Sequence, residues 1–262
     1  MQPAERRQEY TESHLAKVQL LFGEGFLSPG GAEEARRLLE GVDLAGRDVL
    51  DVGCGVGGID VMLARDHDAK SVLGIDVEPL VVERAAARAA SAGLADRVSF
   101  RLVEPGPFAL ADASFDAVFS MGAMLHIPDK PALYREVWRV LRPGGLLVAG
   151  DWFTASHGPP SAQMTHWLSV SQLTFNLETQ RNILAALKEA GFAAVELRDR
   201  NAWYREEHLR ELAQIEGPLR PRLRELLGDE DLSRWIEYRR AMQVVLDSGE
   251  FRPSHLRAVK PG

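Results

Sequence analysis

The sequence predicts an α/β fold of the Rossmann-like type, with a mostly parallel sheet enclosed by helices. Two patterns carry this prediction. Short apolar runs of strand length alternate with helical patterns, and a glycine-rich segment at residues 53–58 follows one such run and begins a helix. With 262 residues, 45% hydrophobic and 26% charged, the chain has the composition of a globular protein with a large core. We therefore expect one domain over residues 1–262.

The first part of the chain supplies the predicted core of the sheet. Five strands are predicted, at residues 48–54, 71–77, 98–104, 115–121 and 145–152. Three helices are predicted between them, at residues 59–67, 80–92 and 130–141. The last helix follows Pro128-Asp129 and stops before a Pro-Gly-Gly segment, and both are typical helix boundary signals. Residues 41–152 are thus expected to form the core, after a helical lead-in over residues 1–40.

A different pattern begins after Trp152. A Pro- and Ser-rich loop leads into an aromatic stretch, and a helix near residues 179–190 ends at Gly191. The remaining elements are predicted as a sixth strand at residues 193–200, charged amphipathic segments at 206–227 and 232–246, and a closing strand at 256–260. Residues 153–262 are therefore expected to complete the sheet and to form a helical cap.

The bulk composition restricts the class of partner. A net charge of −7 gives no electrostatic support for binding nucleic acid, and no apolar run approaches the roughly 20 residues that cross a bilayer. The polar start of the chain does not resemble a secretory signal, and the single cysteine, Cys54, cannot form an internal disulfide. We expect a cytoplasmic protein that binds a small molecule and no nucleic acid, membrane or metal. Whether the protein forms a homo-oligomer is left open by the sequence.

Three interpretations of the glycine-rich loop are open from its spacing. Gly53, Gly55 and Gly58 match the G-x-G-x-x-G pattern of dinucleotide-binding loops, and Asp76 lies at about the right distance to contact a ribose. The glycines could also serve only a tight strand-to-helix turn. Asp51, just before the loop, favours a third interpretation. A carboxylate repels pyrophosphate but attracts the ammonium and sulfonium groups of S-adenosylmethionine.

Four separated motifs support that third interpretation. They are VLDVGCGVGG at residues 49–58, GIDVEP at 74–79, FDAV at 115–118 and LRPGGLL at 141–147. Together they make residues 45–152 resemble the class I S-adenosylmethionine-dependent methyltransferases. The resemblance implies a Rossmann-like seven-stranded sheet with one antiparallel strand, a helical N-terminal lid and a C-terminal helical cap. It also implies that S-adenosyl-L-methionine binds at the carboxyl ends of the strands.

The lid and the loop after the fourth strand narrow the resemblance. Residues 10–12 (YTE), 21–31 (LFGEGFLSPGG) and 123–127 (AMLHI) resemble the phosphoethanolamine N-methyltransferases, and the likeness is continuous over about residues 10–152. In that family a lid tyrosine and a histidine after strand four pair across the active site, and these match Tyr10 and His126. The chemistry agrees, because a protonated amine has no lone pair and needs a base of near-neutral pKa.

The resemblance also implies a set of residues that contact the cofactor. This set is Asp51, Gly53, Gly55, Gly57, Asp76, Val77, Glu104, Pro105, Met121, Leu27 and Ser28. Asp76 closes the second strand and would accept hydrogen bonds from both ribose hydroxyls. Glu104 stands where the family uses an aspartate for the adenine amino group, and we expect the longer side chain to keep that role.

The chain departs from the family where the substrate should bind. Met121 and Gly122 replace an arginine–aspartate pair whose aspartate serves the substrate amine. The positions of the family's phosphate-binding tyrosines and arginine fall at Trp167, Ser171 and Leu173. Because charge-assisted contacts to a dianionic phosphate would be lost, we expect phosphoethanolamine to be a poor substrate.

Aromatic residues occupy the substrate-side part of the sequence instead. They are Trp152, Trp167, Phe175, Trp203 and Tyr204. Aromatic faces attract cationic amines, but the same rings could simply pack this part against the sheet. Asp151 is a candidate partner for a substrate ammonium, and Arg181 or Arg205 for a substrate carboxylate.

The sequence therefore predicts an enzyme that uses S-adenosylmethionine to methylate nitrogen on a small amine or amino acid. O- or S-methylation of a natural-product intermediate stays open, since the same fold and a similar histidine would serve it. A non-catalytic protein that binds S-adenosylmethionine is the third hypothesis, and such a protein has no need of the Tyr10 and His126 pair.

Overall fold

The computed structural model describes residues 10–155, 158–171 and 173–262, and its centre is a seven-stranded sheet. The strands are β1 (Asp48–Val52), β2 (Ser71–Asp76), β3 (Val98–Leu102), β4 (Phe115–Met121), β5 (Leu141–Thr154), β6 (Ala193–Asp199) and β7 (Phe251–Val259). The helices are α1 (Glu12–Phe22), α2 (Gly31–Leu39), α3 (Gly58–Asp66), α4 (Pro79–Ser91), α5 (Lys130–Val140), α6 (Ala162–Val170), α7 (Gln180–Ala190), α8 (Asn201–Glu216) and α9 (Arg220–Asp247). A 3₁₀ turn over Met124–His126 follows β4.

The strand order in the sheet is β3-β2-β1-β4-β5-β7-β6. Neighbouring strands from β3 to β5 pair in parallel, and β7 lies antiparallel between β5 and β6. The predicted seven-stranded Rossmann-like sheet with one antiparallel strand is therefore confirmed. Val49, Leu50 and Val52 of β1 are all buried, as expected for a parallel strand that helices cover on both faces.

Each face of the sheet has its own apolar core. Successive residues of a strand point to opposite faces. Leu50 accordingly joins a cluster with Val137 of α5, and Val49 joins a second cluster with Leu63 of α3. Because helices and apolar side chains fill both faces, the ends of the strands are the places left for a ligand.

Two strands begin earlier than the sequence pattern predicts. β5 begins at Leu141 rather than at residue 145, because Leu141 pairs with Phe115 before a shift in register. β7 begins at Phe251, which pairs with Thr154 of β5, rather than at residue 256. Both extensions depend on pairing with a distant strand, which a local pattern of apolar residues does not record.

The cap differs in detail from the prediction. α6 lies within the aromatic stretch, where no helix was predicted, and begins after Ser161, whose side chain accepts a hydrogen bond from the N–H of Met164. The amphipathic segment predicted at residues 206–227 is divided between α8 and the start of α9, and the one predicted at 232–246 lies within α9. α9 bends at Gly228, where φ is +77°. Gly191 ends α7 with a φ of +102°, as predicted.

The N-terminal lid lies across one end of the sheet. α1 packs against α8 and α9, and α2 packs against β5. Between these two helices the carbonyl of Gly25 accepts a hydrogen bond of 3.2 Å from the N–H of Gly58, at the start of α3. Residues 1–9 of the predicted lead-in lie outside the described residues. Within the described part of the chain, no helix is both long and apolar enough to cross a membrane.

Candidate active site

The carboxyl ends of four adjacent strands carry most of the predicted cofactor residues. Asp51 lies near the end of β1, Asp76 ends β2, Glu104 follows β3 and Met121 ends β4. Because these strands are ordered β3-β2-β1-β4, the four residues form a row along one edge of the sheet. Open α/β sheets bind their ligands at this edge. The fold thus brings together residues that are far apart in the sequence.

The loop after β1 makes a turn that requires glycine. Gly53 has a φ of +80°, and a Cβ there would lie 2.1 Å from the Cβ of Ala123. The N–H of Gly55 donates to Asp76 Oδ2 at 3.0 Å, and the N–H of Glu78 donates to Asp76 Oδ1 at 3.0 Å. A third backbone hydrogen bond comes from Val77. Together these bonds hold Asp76 against the loop, and the carboxylate keeps acceptor capacity for a ligand.

Three carboxyl groups lie beneath this loop. Asp51 and Asp60 are fully buried. Burial and the charges of Asp60 and Asp76 raise the pKa of Asp51 well above its usual value, and burial raises the pKa of Asp60 to about 8. Within the described residues, Asp51 Oδ1 and both Asp60 oxygens lack a hydrogen-bond partner. Raised pKa values favour the protonated form of these carboxyl groups in the free site, and a bound cation would favour their ionised form, whereas a phosphate would not.

Leu27 and Ser28 carry the lid across the same edge. The Ser28 hydroxyl donates to the carbonyl of Met121 at the end of β4, over 3.3 Å. Leu27 packs against Val56 of the glycine-rich loop, and a Cβ on Gly55 would lie 3.0 Å from its Cδ1. The two lid residues predicted to contact the cofactor therefore lie beside the loop and the end of β4.

His126 lies on the 3₁₀ turn directly after β4. Its Nδ1 is 2.6 Å from the carbonyl oxygen of Thr174, and because a carbonyl only accepts, Nδ1 carries the hydrogen. The neutral ring therefore has its lone pair on Nε2, where it can accept a proton. The ring lies 5.4 Å from that of Phe175. These two contacts orient the imidazole at the strand end.

A lysine and an aspartate hold this turn in place. The buried Lys130 ammonium donates to three carbonyl oxygens of the segment, those of Met124, Leu125 and Ile127. Asp151 is 4% exposed. Burial raises its pKa to about 7, against the opposing effects of the Lys130 charge and of a hydrogen bond from the N–H of Leu125. Asp151 thus supports the turn, and its role as the partner of a substrate ammonium stays a prediction.

A cavity of about 120 Å³ opens between α1, α9 and the segment that follows α6. Its lining residues are Tyr10, His14, Lys17, Val18, Phe22, Leu27, Pro29, Trp152, Val170, Ser171, Leu173, Arg234, Trp235, Tyr238 and Arg239. Leu27 lies both in this lining and beside the glycine-rich loop, so the cavity adjoins the predicted cofactor residues. Tyr10 packs edge-on against His14, with ring centroids 5.2 Å apart. Its pairing with His126 stays a prediction.

Trp152 lines the cavity, whereas Trp167 does not. Trp167 is fully buried, stacked on Phe175 at 5.1 Å and against Phe251 at 4.8 Å between ring centroids. Burial of so large an apolar ring stabilises the packing of α6 on β7. Trp167 therefore has a packing role in the cap, and its contact with substrate stays a prediction.

Trp203 and Tyr204 lie near the start of α8 and are not among the residues that line the cavity. The Arg200 guanidinium lies 4.7 Å from the ring centroid of Trp203, a cation–π contact inside the protein. Tyr204 is buried in the cap, in the same cluster as Trp152. Trp203 thus covers a buried arginine, and Tyr204 packs behind a residue that lines the cavity. Their contacts with substrate stay predictions.

Several residues of the site were not predicted from the sequence. The cations at the cavity are Lys17, Arg234 and Arg239, whereas Arg181 is exposed on α7 and Arg205 forms an exposed ion pair. The two helices that carry Lys17 and Arg239 meet only in the folded protein, so no local signal was present. A local signal was present for Asp60, because it is an acidic residue in the first turn of the helix that follows the glycine-rich loop.

Residues 49–145 match a family model described as a methyltransferase domain. The doubly wound sheet, its single antiparallel strand and the row of acidic residues at the strand ends agree with that match. The chain therefore contains a methyltransferase domain with the class I fold.

More specifically, the chain is similar to phosphoethanolamine N-methyltransferases. It is 35% identical to phosphoethanolamine N-methyltransferase 1 of Arabidopsis thaliana over 209 residues, 79% of this chain and 41% of the relative. It thus spans about two fifths of that protein. It is 37% identical to methyltransferase GfsG of Streptomyces halstedii over 175 residues, 66% of this chain and 63% of the relative.

A solved structure extends this likeness to the whole chain. Phosphoethanolamine N-methyltransferase 2 of Haemonchus contortus, in complex with phosphomonomethylethanolamine and S-adenosylhomocysteine, superimposes with a TM-score of 0.89 at 25% identity. The match covers 98% of this chain and 59% of that one. The lid and the cap of this chain are therefore shared with that structure, as well as the sheet.

Proposed function

We propose that this protein is an S-adenosylmethionine-dependent methyltransferase that acts on the nitrogen of a small amine or amino acid. The observation that carries the proposal is the juxtaposition of two features at one end of the sheet. One is the buried acidic cluster under the glycine-rich loop, and the other is His126 with its lone pair on Nε2. The cluster suits a cationic nucleoside, and the histidine suits removal of a proton from an acceptor. The similarity to phosphoethanolamine N-methyltransferases supports the same assignment.

The residues at the strand ends fit S-adenosyl-L-methionine. Asp76 would accept from the ribose hydroxyls, and Glu104 would accept from the adenine amino group. Gly53 and Gly55 let the backbone approach the ligand closely, and Asp51 offers an unpartnered oxygen to its positive charges. When bound, the cofactor supplies an electrophilic methyl group on a sulfonium sulfur. The pyrophosphate of NAD would instead meet the buried carboxyl groups.

On the substrate side, the cavity would hold the amine. His126 is not one of the lining residues, but its ring lies 5.4 Å from that of Phe175, which lies 5.8 Å from the lining residue Trp152. His126 would deprotonate an amine held at this side of the cavity. A protonated amine has no lone pair for attack, so transfer of its proton to Nε2 creates the nucleophile. The lid residues Tyr10 and Leu27 line the cavity and would exclude water while nucleophile, methyl and sulfur are held in line. Trp152 offers an aromatic face to the acceptor.

O-methylation of a small hydroxylated molecule is the second candidate function, with S-methylation as its variant. It is favoured by Met121 and Gly122, which leave no carboxylate at the position where the resembling family binds the substrate amine. A hydroxyl or thiol also needs a base, and His126 would serve either one.

We also propose a cytoplasmic location and no nucleic-acid partner. The single buried cysteine, Cys54, and the net charge of −7 support this. Cell fractionation with an antibody to the protein would test the location. Retention of the protein on a DNA column at low salt would contradict the proposal that it has no nucleic-acid partner. Light scattering would decide between a monomer and a homo-oligomer.

Two measurements on the purified protein test the proposed function. Titration calorimetry should show binding of S-adenosylmethionine and S-adenosylhomocysteine and no heat with NAD. A radiolabelled methyl-transfer screen should then show label in amines or amino acids such as ethanolamine, glycine or N-methylglycine. Phosphoethanolamine should be a poor acceptor, because Trp167, Ser171 and Leu173 replace the charged and hydroxyl groups of the resembling family.

Each contrary result has a distinct meaning. Binding of NAD without S-adenosylhomocysteine would overturn the cofactor assignment. Label in hydroxylated acceptors alone would favour the second candidate. Cofactor binding without label in any acceptor class would support the non-catalytic hypothesis, and efficient methylation of phosphoethanolamine would overturn the expectation about its phosphate.

A further inference from the structure

β6 forms one edge of the sheet, and in the described part of the chain only β7 pairs with it. A shift in register near the start of β6 leaves residues 196–199 as its regular stretch. Glu196, Arg198 and Asp199 are exposed there, whereas Leu197 is half-buried. An exposed edge of this kind presents unpaired backbone groups to any strand that can lie beside it.

The backbone groups that point out of this edge can be identified. The N–H of Arg200 donates to the carbonyl of Pro253 in β7 at 2.8 Å. Backbone N–H and C=O groups of an antiparallel strand alternate between its two sides, so those of Glu196 and Arg198 face β7 as well. The N–H and C=O groups of Leu197 therefore point away from β7, toward the open side of the edge.

Two opposite charges lie side by side on one face of the regular stretch. Glu196 and Arg198 are two residues apart, so their side chains project from the same face of the sheet. Among the described residues, neither side chain forms an ion pair or a hydrogen bond. The edge at the other end of the sheet differs, because β3 carries a single charged residue, Arg101. Two copies of β3 thus have no opposite charges to pair.

We propose that β6 is a homodimerisation surface, on which β6 of a second copy of this chain pairs about a two-fold axis at Leu197. An axis perpendicular to the sheet makes two identical edge strands antiparallel. With Leu197 opposite its own copy, Glu196 lies opposite Arg198 of the second copy, and Arg198 lies opposite Glu196 of the second copy. Each dimer then contains two opposite-charge pairs between neighbouring strands.

The backbone and the opposite face of the sheet agree with this register. The outward-facing groups of Leu197 would bond to the same groups of its copy. The Leu197 side chain packs against the apolar core that contains Val137, so its copy would extend that core across the edge. An axis at Glu196 or Arg198 would instead place each charge opposite itself, and it would require backbone groups that already face β7.

The dimer would be one continuous sheet with both candidate active sites open. The predicted cofactor residues lie at the ends of β1 to β4, and β5 and β7 separate these strands from β6. Pairing at β6 therefore leaves the lid and the cavity of each copy uncovered. The inference is independent of the proposed function, because it involves neither the cofactor nor the methyl acceptor.

Sedimentation velocity of the full chain, at about 1 to 300 µM protein, provides the test. The variants are Glu196→Arg, Arg198→Glu, the double variant that carries both changes, and an equimolar mixture of the two single variants. Arg101→Glu is the matched control, because it makes the same change of charge at an exposed position on the other edge strand. Melting temperature and S-adenosylhomocysteine affinity report whether each variant is folded.

We expect the wild type to dimerise with a dissociation constant of about 100 µM or lower, in the range of a small interface. Each single variant should weaken dimerisation about 10-fold or more, because both opposite-charge pairs become like-charge pairs. The double variant and the mixture should recover the dimer, since each again places an arginine opposite a glutamate. Arg101→Glu should dimerise like the wild type.

A wild type that stays monomeric at about 300 µM would overturn the proposal, as would a dimer that both single variants retain. Failure of the double variant and of the mixture to recover the dimer would also overturn it. If the variants do not fold, hydrogen exchange of the wild type decides. Exchange in residues 196–199 should slow as the protein concentration rises, while that in residues 98–102 stays constant. Exchange in β6 that is independent of concentration would contradict the surface.

Discussion

At the scale of single residues, the structure defines the tautomer of His126, the predicted base. The sequence predicted His126 as the base because it is a histidine that follows the fourth strand. The carbonyl of Thr174 adds the chemical detail, because a hydrogen bond of 2.6 Å to Nδ1 leaves the lone pair of the neutral ring on Nε2. Proton transfer from an acceptor to that atom is the step in which the side chain would act.

Replacing His126 by alanine should therefore reduce turnover and spare the cofactor. We expect kcat to fall by about 10²- to 10⁴-fold, the contribution of one general base, with unchanged affinity for S-adenosylhomocysteine by calorimetry. His166→Ala is the control, since His166 is exposed on α6 and only faces Glu237 at 3.8 Å. Wild-type turnover in His126→Ala would remove the histidine from the mechanism.

At the scale of elements, the important unit is the 3₁₀ turn between β4 and α5. Three consecutive residues of this turn would leave backbone carbonyls without helical partners. The Lys130 ammonium satisfies carbonyls of Met124 and Leu125 at 2.9 and 3.1 Å, and Asp151 accepts from the N–H of Leu125. The turn and its histidine are thus positioned by side chains from α5 and β5.

Loss of Lys130 should displace His126 and not the cofactor residues. In Lys130→Met we expect kcat to fall by about 10-fold or more with KM for S-adenosylmethionine within about 2-fold, since the lost contacts lie on the turn alone. Lys130→Arg should recover part of the activity, and Lys188→Met, an exposed change on α7, should have no effect.

A pH profile separates positioning from a general loss of stability. Without the Lys130 charge, the pKa of Asp151 should rise above about 7, and the lower limb of the kcat profile should shift toward higher pH. A parallel loss of kcat and cofactor affinity, with an unshifted profile, would show that Lys130 only stabilises the fold.

At the scale of the whole molecule, one buried network ties the lid to the cap and the sheet. Glu34 of α2 accepts from Arg200, before α8, at 2.7 Å, and its other oxygen lies 2.7 Å from Nε2 of His255 in β7. Burial raises the pKa of Glu34, but the hydrogen bonds from His255 and Arg200 outweigh burial and hold the pKa below its usual value. The lid is therefore anchored by a charge that must stay ionised.

Neutralising this charge should destabilise the protein as a whole. Glu34→Gln leaves a buried arginine without its ion pair, and we expect a loss of about 3–5 kcal/mol in the free energy of unfolding at pH 7. Glu33→Gln is the control on the same helix, because Glu33 forms an exposed pair with Arg37, worth at most about 1 kcal/mol. Denaturant unfolding measures both, and equal effects would contradict the anchoring role.

The stabilisation by Glu34, measured as the difference in the free energy of unfolding, should depend on pH. Because the folded pKa of Glu34 lies below the unfolded value of 4.5, its stabilisation is present above about pH 4.5 and is lost as the pH falls through the folded pKa. The difference between the wild type and Glu34→Gln should therefore shrink on acidification. A difference that is constant from neutral to acidic pH would contradict the sign of this pKa shift.

Much of the fold and part of the site could be predicted because their signals are local. Gly53 and Asp76 are such cases. A positive φ and a close approach select glycine within one turn, and a strand end selects a polar residue within one strand. The surroundings of Asp151 and Trp167 could not be predicted, because the residue type suited a ligand but the neighbours were unknown. Their partners, Leu125 and Phe251, come from other elements, and no periodicity in the sequence records those contacts.

The sequence by itself determined the order of the strands along the chain, the glycine-rich loop and the acidic residues beside it, because each depends on neighbours within a few positions. Only the tertiary structure decided which side chains line the cavity. Lys17 and Arg239 lie at opposite ends of the chain, and they meet because α1 packs against α9. A charged residue on an amphipathic helix is usually solvated, and it becomes part of a cavity only when another helix covers it and removes the water.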